Sequence, residues 1–334
     1  MSTYAGRPNH SEIAVEAQGL CKHFRGRRRG LEIKAVTDLD LTVRRGETFG
    51  LLGADGAGKT TTLRLLNGLL VPSKGRARVA NYNVVSDSRS VHRCAGYMPQ
   101  QFALYGDMSV AENLAFFAEM YGLTATQCAE RIPRLMRFAH LEEFRERLAA
   151  KLSGGMKKKL ALACMLVHEP EIVFLDEPTL GVDPVSRREF WSLLSELRAE
   201  RDLTIFVCTP YMDEAERCTR VGLLHHGQLI ACGRPDEVKA MVPGNLLEMR
   251  PSKLYRARDV LRGQEGVLEL QTFGDRLHVF VDDVGKRTPQ LAQALASQGI
   301  SCEAVRRIEP RMEEAFVSLV RSQAQRHEGT GVVG

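Results

Sequence analysis

The stretch Gly53-Ala54-Asp55-Gly56-Ala57-Gly58-Lys59-Thr60-Thr61 interleaves glycines with small residues and ends in a lysine and two hydroxyls. Its spacing, G-x-x-x-x-G-K-[ST], is that of a phosphate-cradling loop. Glycine lets successive backbone N–H groups turn inward onto phosphate oxygens with no Cβ in the way. A helix that opens directly after the loop adds its positive end to the same anion site. On this reading Lys59 reaches the β- and γ-phosphates of a nucleoside triphosphate, and the Thr60 hydroxyl ligates Mg2+. An apolar strand at 48–52 before the loop and a helix at 59–69 after it supply the context that the motif needs.

A second constellation is Glu171-Ile172-Val173-Phe174-Leu175-Asp176-Glu177-Pro178, an apolar strand that ends in two adjacent carboxylates. Side chains alternate along a strand, so the two acids point differently. Asp176 suits a Mg2+ shell, directly or through water. Glu177 can polarise a water for attack on a γ-phosphate. The plain alternative is an acidic strand end at a surface; its co-occurrence with the phosphate loop favours chemistry. A third is Leu152-Ser153-Gly154-Gly155-Met156, which opens a helix at 155–168. Ser153 reads as an N-cap, and the same helix end is ready for an anion.

The surrounding elements are those of a parallel sheet with helices on its faces. Strands are expected at 18–24, 35–43, 172–175 and 204–208, helical periods at 109–121, 124–147 and 186–200, and a hairpin at 221–231 that turns at His226-Gly227. A basic turn, Arg25 to Arg29, joins the first two strands. Composition shifts near Pro243-Gly244. Beyond it the pattern reads strand 246–250, helix 252–262, strands 266–272 and 276–282, helix 288–298, strand 301–308 and helix 311–322. Its first six elements are in β-α-β-β-α-β, ferredoxin-like order. The expected organisation is a flexible N-terminus at 1–12, a nucleotide-binding unit at 13–243, a small α+β domain at 244–322 and a disordered tail at 323–334.

Composition narrows the function classes. The 334 residues carry 46 Lys plus Arg against 41 Asp plus Glu, an excess too small to argue for nucleic acid. None of the eight cysteines forms a C-x-x-C pair, so neither a zinc knuckle nor a thioredoxin-like site is indicated, and a reducing cytosol fits. Residues 1–16 lack a signal-peptide core. No segment approaches the ~20 apolar residues needed to span a bilayer.

The ordered set GADGAGKTT, GYMPQ, KLSGGM and VFLDEPTLGVDP resembles the ABC ATPase cassette over roughly residues 14–240. The resemblance implies an α/β P-loop NTPase fold, with a mixed sheet core and a helical subdomain at about 100–165. ATP and Mg2+ are then the ligands. Gln100 is implied as the loop glutamine that senses Mg2+ and the permease, with Gln101 the lesser choice. Ser153, Gly154 and Gly155 look like the signature that meets the γ-phosphate held by an opposite subunit, and Gly181-Val182-Asp183 resembles the loop crossing the dimer interface. Phe24 falls where the family places an adenine-stacking aromatic; a strand-end core aromatic is the alternative. The cofactor-binding set implied is thus Phe24, Gly53 through Thr61, and Ser153 to Gly155. Glu177, Lys59 and Gln100 are the catalytic set, and Thr60, Gln100 and Asp176 the metal set.

Two positions depart from the family pattern. Met156 replaces the usual glutamine of the signature. Pro210 stands where the family places a switch histidine, after a strand that reads into Thr209-Pro210-Tyr211-Met212-Asp213-Glu214. The latter stretch and the segment from Ile308-Glu309-Pro310 to Phe316 resemble the bacterial export branch that pairs with ABC-2-type permeases. That branch implies an ATPase subunit on the cytoplasmic face of the inner or plasma membrane, held there by a separate permease and paired with a second cassette, a copy or a paralogue. Two other readings stand beside it. A cytosolic ABC ATPase acting on nucleic acid or ribosomes is disfavoured by a single phosphate loop and no heptad run. A slow ATP-binding switch is suggested by Pro210.

Overall fold

The computed structural model describes residues 12–26 and 32–330, the side chains of 201 and 324–330 excepted. Nearly all of the expected flexible N-terminus and most of the basic turn lie outside the described residues. The chain divides into two compact units, Met1–Cys232 and Gly233–Gly334.

The first unit runs β1 (Ile13–Arg25), β2 (Glu32–Arg44), β3 (Thr48–Leu52), α1 (Lys59–Leu66), β4 (Lys74–Val79), β5 (Tyr82–Asn83), α2 (Ser88–Cys94), β6 (Ala95–Met98), α3 (Val110–Met120), α4 (Ala125–Phe138), α5 (Gly154–Leu166), β7 (Ile172–Asp176), α6 (Pro184–Arg201), β8 (Thr204–Thr209), β9 (Arg220–His225) and β10 (Gln228–Gly233). Two sheets form. One is antiparallel in the order β2-β1-β4-β5; the other has the order β10-β9-β3-β8-β7-β6. In the second, β9, β3, β8, β7 and β6 run parallel. Strands β3, β7 and β8 are buried at every residue, as central parallel strands covered on both faces must be. Phe49, Phe174 and Phe206 meet between them, with ring centroids 5.2 and 5.7 Å apart. Because these strands are parallel, their carboxyl ends share one sheet edge, where α/β proteins bind ligands.

Two helix expectations change in this unit. The helical period at 124–147 breaks at Phe138. His140 takes φ 53, in the left-handed region that ends helices. The following chain returns alongside α3, whose first N–H groups donate to Arg147 O at 3.0 Å and Arg145 O at 3.0 Å. Those carbonyls satisfy donors that a helix N-terminus leaves open. The helix after the phosphate loop stops at Leu66 rather than 69, where Gly68 turns the chain at φ 69. Elements β4, β5, α2 and β6 occupy a stretch for which the sequence pattern supplied no expectation.

The second unit runs α7 (Pro235–Ala240), β11 (Asn245–Pro251), α8 (Leu254–Leu261), β12 (Val267–Phe273), β13 (Arg276–Val281), α9 (Val284–Ser297), β14 (Cys302–Ile308) and α10 (Met312–Thr330). Its antiparallel sheet has the order β12-β13-β11-β14. Successive residues face opposite sides. Leu247, Val279 and Val281 pack with Leu261, Leu291 and Leu295 of α8 and α9, whereas Leu246 and Phe280 pack with Ala315 of α10. The spatial boundary falls at Cys232/Gly233, upstream of the composition change at Pro243-Gly244, because α7 packs against α10. Residues 323–330, expected to be disordered, continue α10; Gln, Ala, Arg and Glu there are good helix formers. Residues 331–334 lie outside the described residues.

Candidate nucleotide-binding site

The phosphate loop joins β3 to α1. Gly58 is the N-cap of α1, at φ 106, and a Cβ on it would lie 2.3 Å from Ala35 O. A Cβ on Gly53 would lie 2.4 Å from Leu224 O. Both positions therefore require glycine, since neighbouring backbone fills the space. Lys59 is nearly buried, at 4% exposed. It folds back over the loop, its Nζ donating to Gly53 O at 2.9 Å and Ala54 O at 3.1 Å.

The edge of the parallel sheet brings the two carboxylates to this loop. Thr60 Oγ1 donates to Asp176 Oδ1 at 3.0 Å. Lys59 Nζ lies 3.4 Å from Glu177 Oε1, and Gln100 Nε2 donates to Glu177 Oε2 at 2.9 Å. Glu177 adopts φ 48 and anchors this conformation by donating its N–H to Cys208 O at 2.9 Å. A non-glycine residue in that region costs of order 1–3 kcal/mol, so surrounding structure must hold it there. Burial pushes the Asp176 carboxyl above its ordinary range, while the Thr60 hydroxyl bond partly offsets that. A desolvated carboxylate beside a hydroxyl oxygen is a hard-oxygen pair suited to a small divalent cation. Among the described residues no cluster of three or more His, Cys, Asp or Glu is built to hold a metal. A cation here would thus complete its shell with water and phosphate oxygens, as Mg2+ does.

The sequence-expected residues fall into separate parts of this unit. Lys59, Glu177 and Gln100 form one bonded set, and Thr60 with Asp176 forms a second at the same sheet edge. Ser153 caps α5, accepting the Met156 N–H at 3.2 Å. A Cβ on Gly155 would meet Ser186 Oγ at 2.5 Å, so the start of α5 packs on the start of α6. Gly154 and Gln100 line one cavity of about 340 Å3 with Lys157 and Lys158. Asp183 caps α6 by accepting the N–H groups of Val185 and Ser186 at 3.0 Å, bonds that hold its carboxyl below the usual range. Phe24 is exposed next to the last residue of β1, with the Lys22 ammonium 5.2 Å from its ring centroid.

The ABC transporter family pattern matches residues 36–180. The Nod factor export ATP-binding protein I of Bradyrhizobium diazoefficiens is 38% identical over 256 residues, which cover 76% of this chain and 81% of that protein. The chain belongs to the ABC transporter ATP-binding family. A further relative, the "Probable multidrug ABC transporter ATP-binding protein YbhF" of Escherichia coli, is 43% identical over 72% of the chain. The match spans only 40% of that relative's own length. Among solved structures, an ATP-binding subunit of an ABC transporter is 30% identical with TM-score 0.59, covering 68% of this chain and 92% of its own. The cbiO1 protein of Clostridium perfringens, part of the ABC transporter complex cbiONQ, is 26% identical with TM-score 0.61 over 76% and 96%. The fold is that of the ABC cassette.

Several contacts of the cassette had no separate mark in the sequence. Lys158 Nζ donates to Gln100 O at 3.1 Å, and burial lowers its pKa. Its place five residues after Ser153, on the same helix, is the one available hint. His225 and His226, at the tip of the β9–β10 hairpin, have ring centroids 4.2 Å apart. Gly227 beside them donates its N–H to Ala57 O at 2.9 Å, so this hairpin backs the phosphate loop. Burial and the neighbouring His226 lower the pKa of His225. Next to the carboxylate pair, the turn after β8 carries Pro210, half exposed, and Tyr211 donates its N–H to Thr209 Oγ1 at 3.1 Å.

Proposed function

We propose that this ABC ATPase is the ATP-binding and hydrolysing subunit that powers export of a substrate through a separate membrane permease of the ABC-2 type. The observation that carries the proposal is the bonded group Lys59–Glu177–Gln100 with Thr60–Asp176 at one sheet edge. Loop N–H groups and the α1 terminus bind the phosphates, and Lys59 exchanges its loop carbonyl bonds for β- and γ-phosphate oxygens. Thr60, Asp176 and Gln100 would hold Mg2+, which would neutralise charge on the phosphates. Glu177 orients a water for in-line attack on the γ-phosphate, with Gln100 fixing the carboxylate's direction. Phe24 stacks on the adenine. Ser153, Gly154 and Gly155 serve the nucleotide held by a second cassette, so that two ATP molecules close the dimer.

Closure then drives the permease, because ATP binds the closed state more tightly than the open one. Relatives are named for multidrug transport and for Nod factor export, which supports the export direction. Among the described residues no helix is long and apolar enough to cross a membrane, which fits a subunit carried on the cytoplasmic face by its permease. The test is affinity capture from detergent-solubilised membranes with MgATP. Recovery of a permease with about six membrane helices supports the proposal; recovery of ribosomes or nucleic acid in its place overturns it. A second reading rests on Pro210, which has neither side-chain donor nor backbone N–H. It makes the cassette a slow hydrolyser when paired with itself. Steady-state turnover beside Pro210→His separates the two readings.

A further inference from the structure

The turn after β8 lies beside the catalytic edge, since Cys208 accepts the Glu177 N–H and pairs with Asp176 across the ladder. Pro210 itself supplies no hydrogen-bond donor, so within the turn the Tyr211 N–H bond to Thr209 Oγ1 stands without help from it. Other groups hold it. The Arg187 guanidinium lies 4.8 Å from the Tyr211 ring centroid, a cation–π distance. Arg187 is also paired with Asp213, and its Nε is 3.8 Å from Glu214 Oε1. Glu214 is 1% exposed, accepts the Thr179 hydroxyl at 2.7 Å, and leaves Oε2 without a partner. Thr179 follows Glu177 by two residues. Arg187 stands one turn into α6, after its cap Asp183 and next to Ser186, which packs on Gly155. One side chain thus links the start of α6, the segment after the carboxylate pair and the turn that carries Pro210.

We propose that Arg187 is a positioning residue for hydrolysis. Through Tyr211, Asp213 and Glu214 it clamps the Thr209-Pro210-Tyr211 turn against the carboxylate edge. The inference rests on the proposed ATPase reading. The planar guanidinium covers the ring and meets two carboxylates at once, which a lysine ammonium cannot do. Arg187 is partly exposed, with 26% of its side chain accessible, and its clamp acts on the rate of the chemical step rather than on the phosphate loop that binds nucleotide.

The test is steady-state ATP turnover and equilibrium MgATP binding with the full chain. Arg187→Ala should lower kcat about tenfold or more while leaving ATP affinity within about twofold, the split expected for an interaction used only in reaching the transition state. Arg187→Lys should recover little of the loss, and Tyr211→Leu should lose more than Tyr211→Phe. The deciding readout is the cycle with Pro210→His. An imidazole gives the turn a donor of its own, so Arg187→Ala should cost less than about threefold in that background. An equal loss in both backgrounds, or a loss tracking a lowered melting temperature, makes Arg187 merely structural and overturns the inference. Wild-type turnover in Arg187→Ala overturns it directly. A parent chain that binds MgATP but turns over only with Pro210→His overturns it too, because the clamp then sustains nothing. Should Arg187→Ala not fold, Tyr211→Leu against Tyr211→Phe in both backgrounds decides the same question. A parent chain that fails to bind MgATP at all sinks the ATPase reading itself, a separate result.

Discussion

Asp176 in the first unit and Glu248 in the second are both buried carboxylates, and they are held in opposite ways. In the cassette, Asp176 has one hydroxyl donor, Thr60, and burial raises its pKa. In the second unit, Glu248 takes Arg276 at 2.7 Å and Arg306 at 2.7 Å, and these bonds outweigh its burial and draw its pKa down to about 2. Asp282, exposed just after β13, is gripped through both oxygens by Arg287, at 2.8 and 2.9 Å, and is likewise near 2. His278, nearly buried, lies 3.1 Å from Glu314 and 3.5 Å from Glu248. Glu248, neutralised by arginines of β13 and β14, staples three strands together. A carboxylate left under-neutralised at a sheet edge, beside a lysine bonded to nothing but main-chain carbonyls and one acid, is arranged for a ligand that brings its own charges.

That contrast can be broken at several points. The largest effect is expected for Glu177→Gln, which should keep ATP binding but slow hydrolysis by about 10²–10⁴ and let ATP-bound dimers accumulate on gel filtration. Unaltered turnover and monomer alone would remove Glu177 from the chemistry. Lys59→Ala deletes a charge-assisted contact and should weaken MgATP binding by about 10- to 100-fold by calorimetry; parent affinity would dismiss the phosphate-loop assignment.

Smaller and opposite effects are expected on stability without nucleotide. The raised pKa of Asp176 means that its charged form costs stability at neutral pH, and that this cost is relieved as pH falls through the raised value. Asp176→Asn should therefore raise the melting temperature at pH 7. The lowered pKa of Glu248 means the reverse. Its contribution is present above the ordinary glutamate range and is lost as pH falls toward about 2. Glu248→Gln should lower the melting temperature at pH 7, with faster amide exchange confined to β11, β13 and β14. Shifts of the same sign would erase the distinction. The smallest effect is expected from truncation. A chain ending at Cys232 keeps every residue of both bonded sets and the first unit's core, so it should bind MgATP within about threefold of the full chain. Insoluble or nucleotide-blind material would mean that the two units fold as one.

Much of the site was legible because its signals are local. The phosphate loop needs glycines at fixed offsets, and the close approaches of Ala35 O and Leu224 O to Gly58 and Gly53 explain why. The cap of α5 by Ser153, the hairpin turn at His226-Gly227 and the β-α-β-β-α-β order were readable for the same reason: turn chemistry and side-chain periodicity act over a few residues. Strand β6, Ala95–Met98, has no such pattern and exists as a strand by pairing with β7, Ala95 opposite Ile172. The end of α4 at Phe138 is equally non-local, because the chain after it is drawn off to cap α3.

By itself, then, the order of residues determined which groups are chemically able to handle a nucleotide, and that two differently patterned units follow one another. Only the tertiary structure decided which of those groups touch. Gln100 meets Glu177 across 77 residues and Thr60 meets Asp176 across 116. Glu177 is held at a positive φ by a carbonyl of β8, and Arg187 reaches the ring of Tyr211 from α6. Such contacts depend on strand order and on the parallel alignment of β3, β7 and β8, which no spacing within a short window encodes.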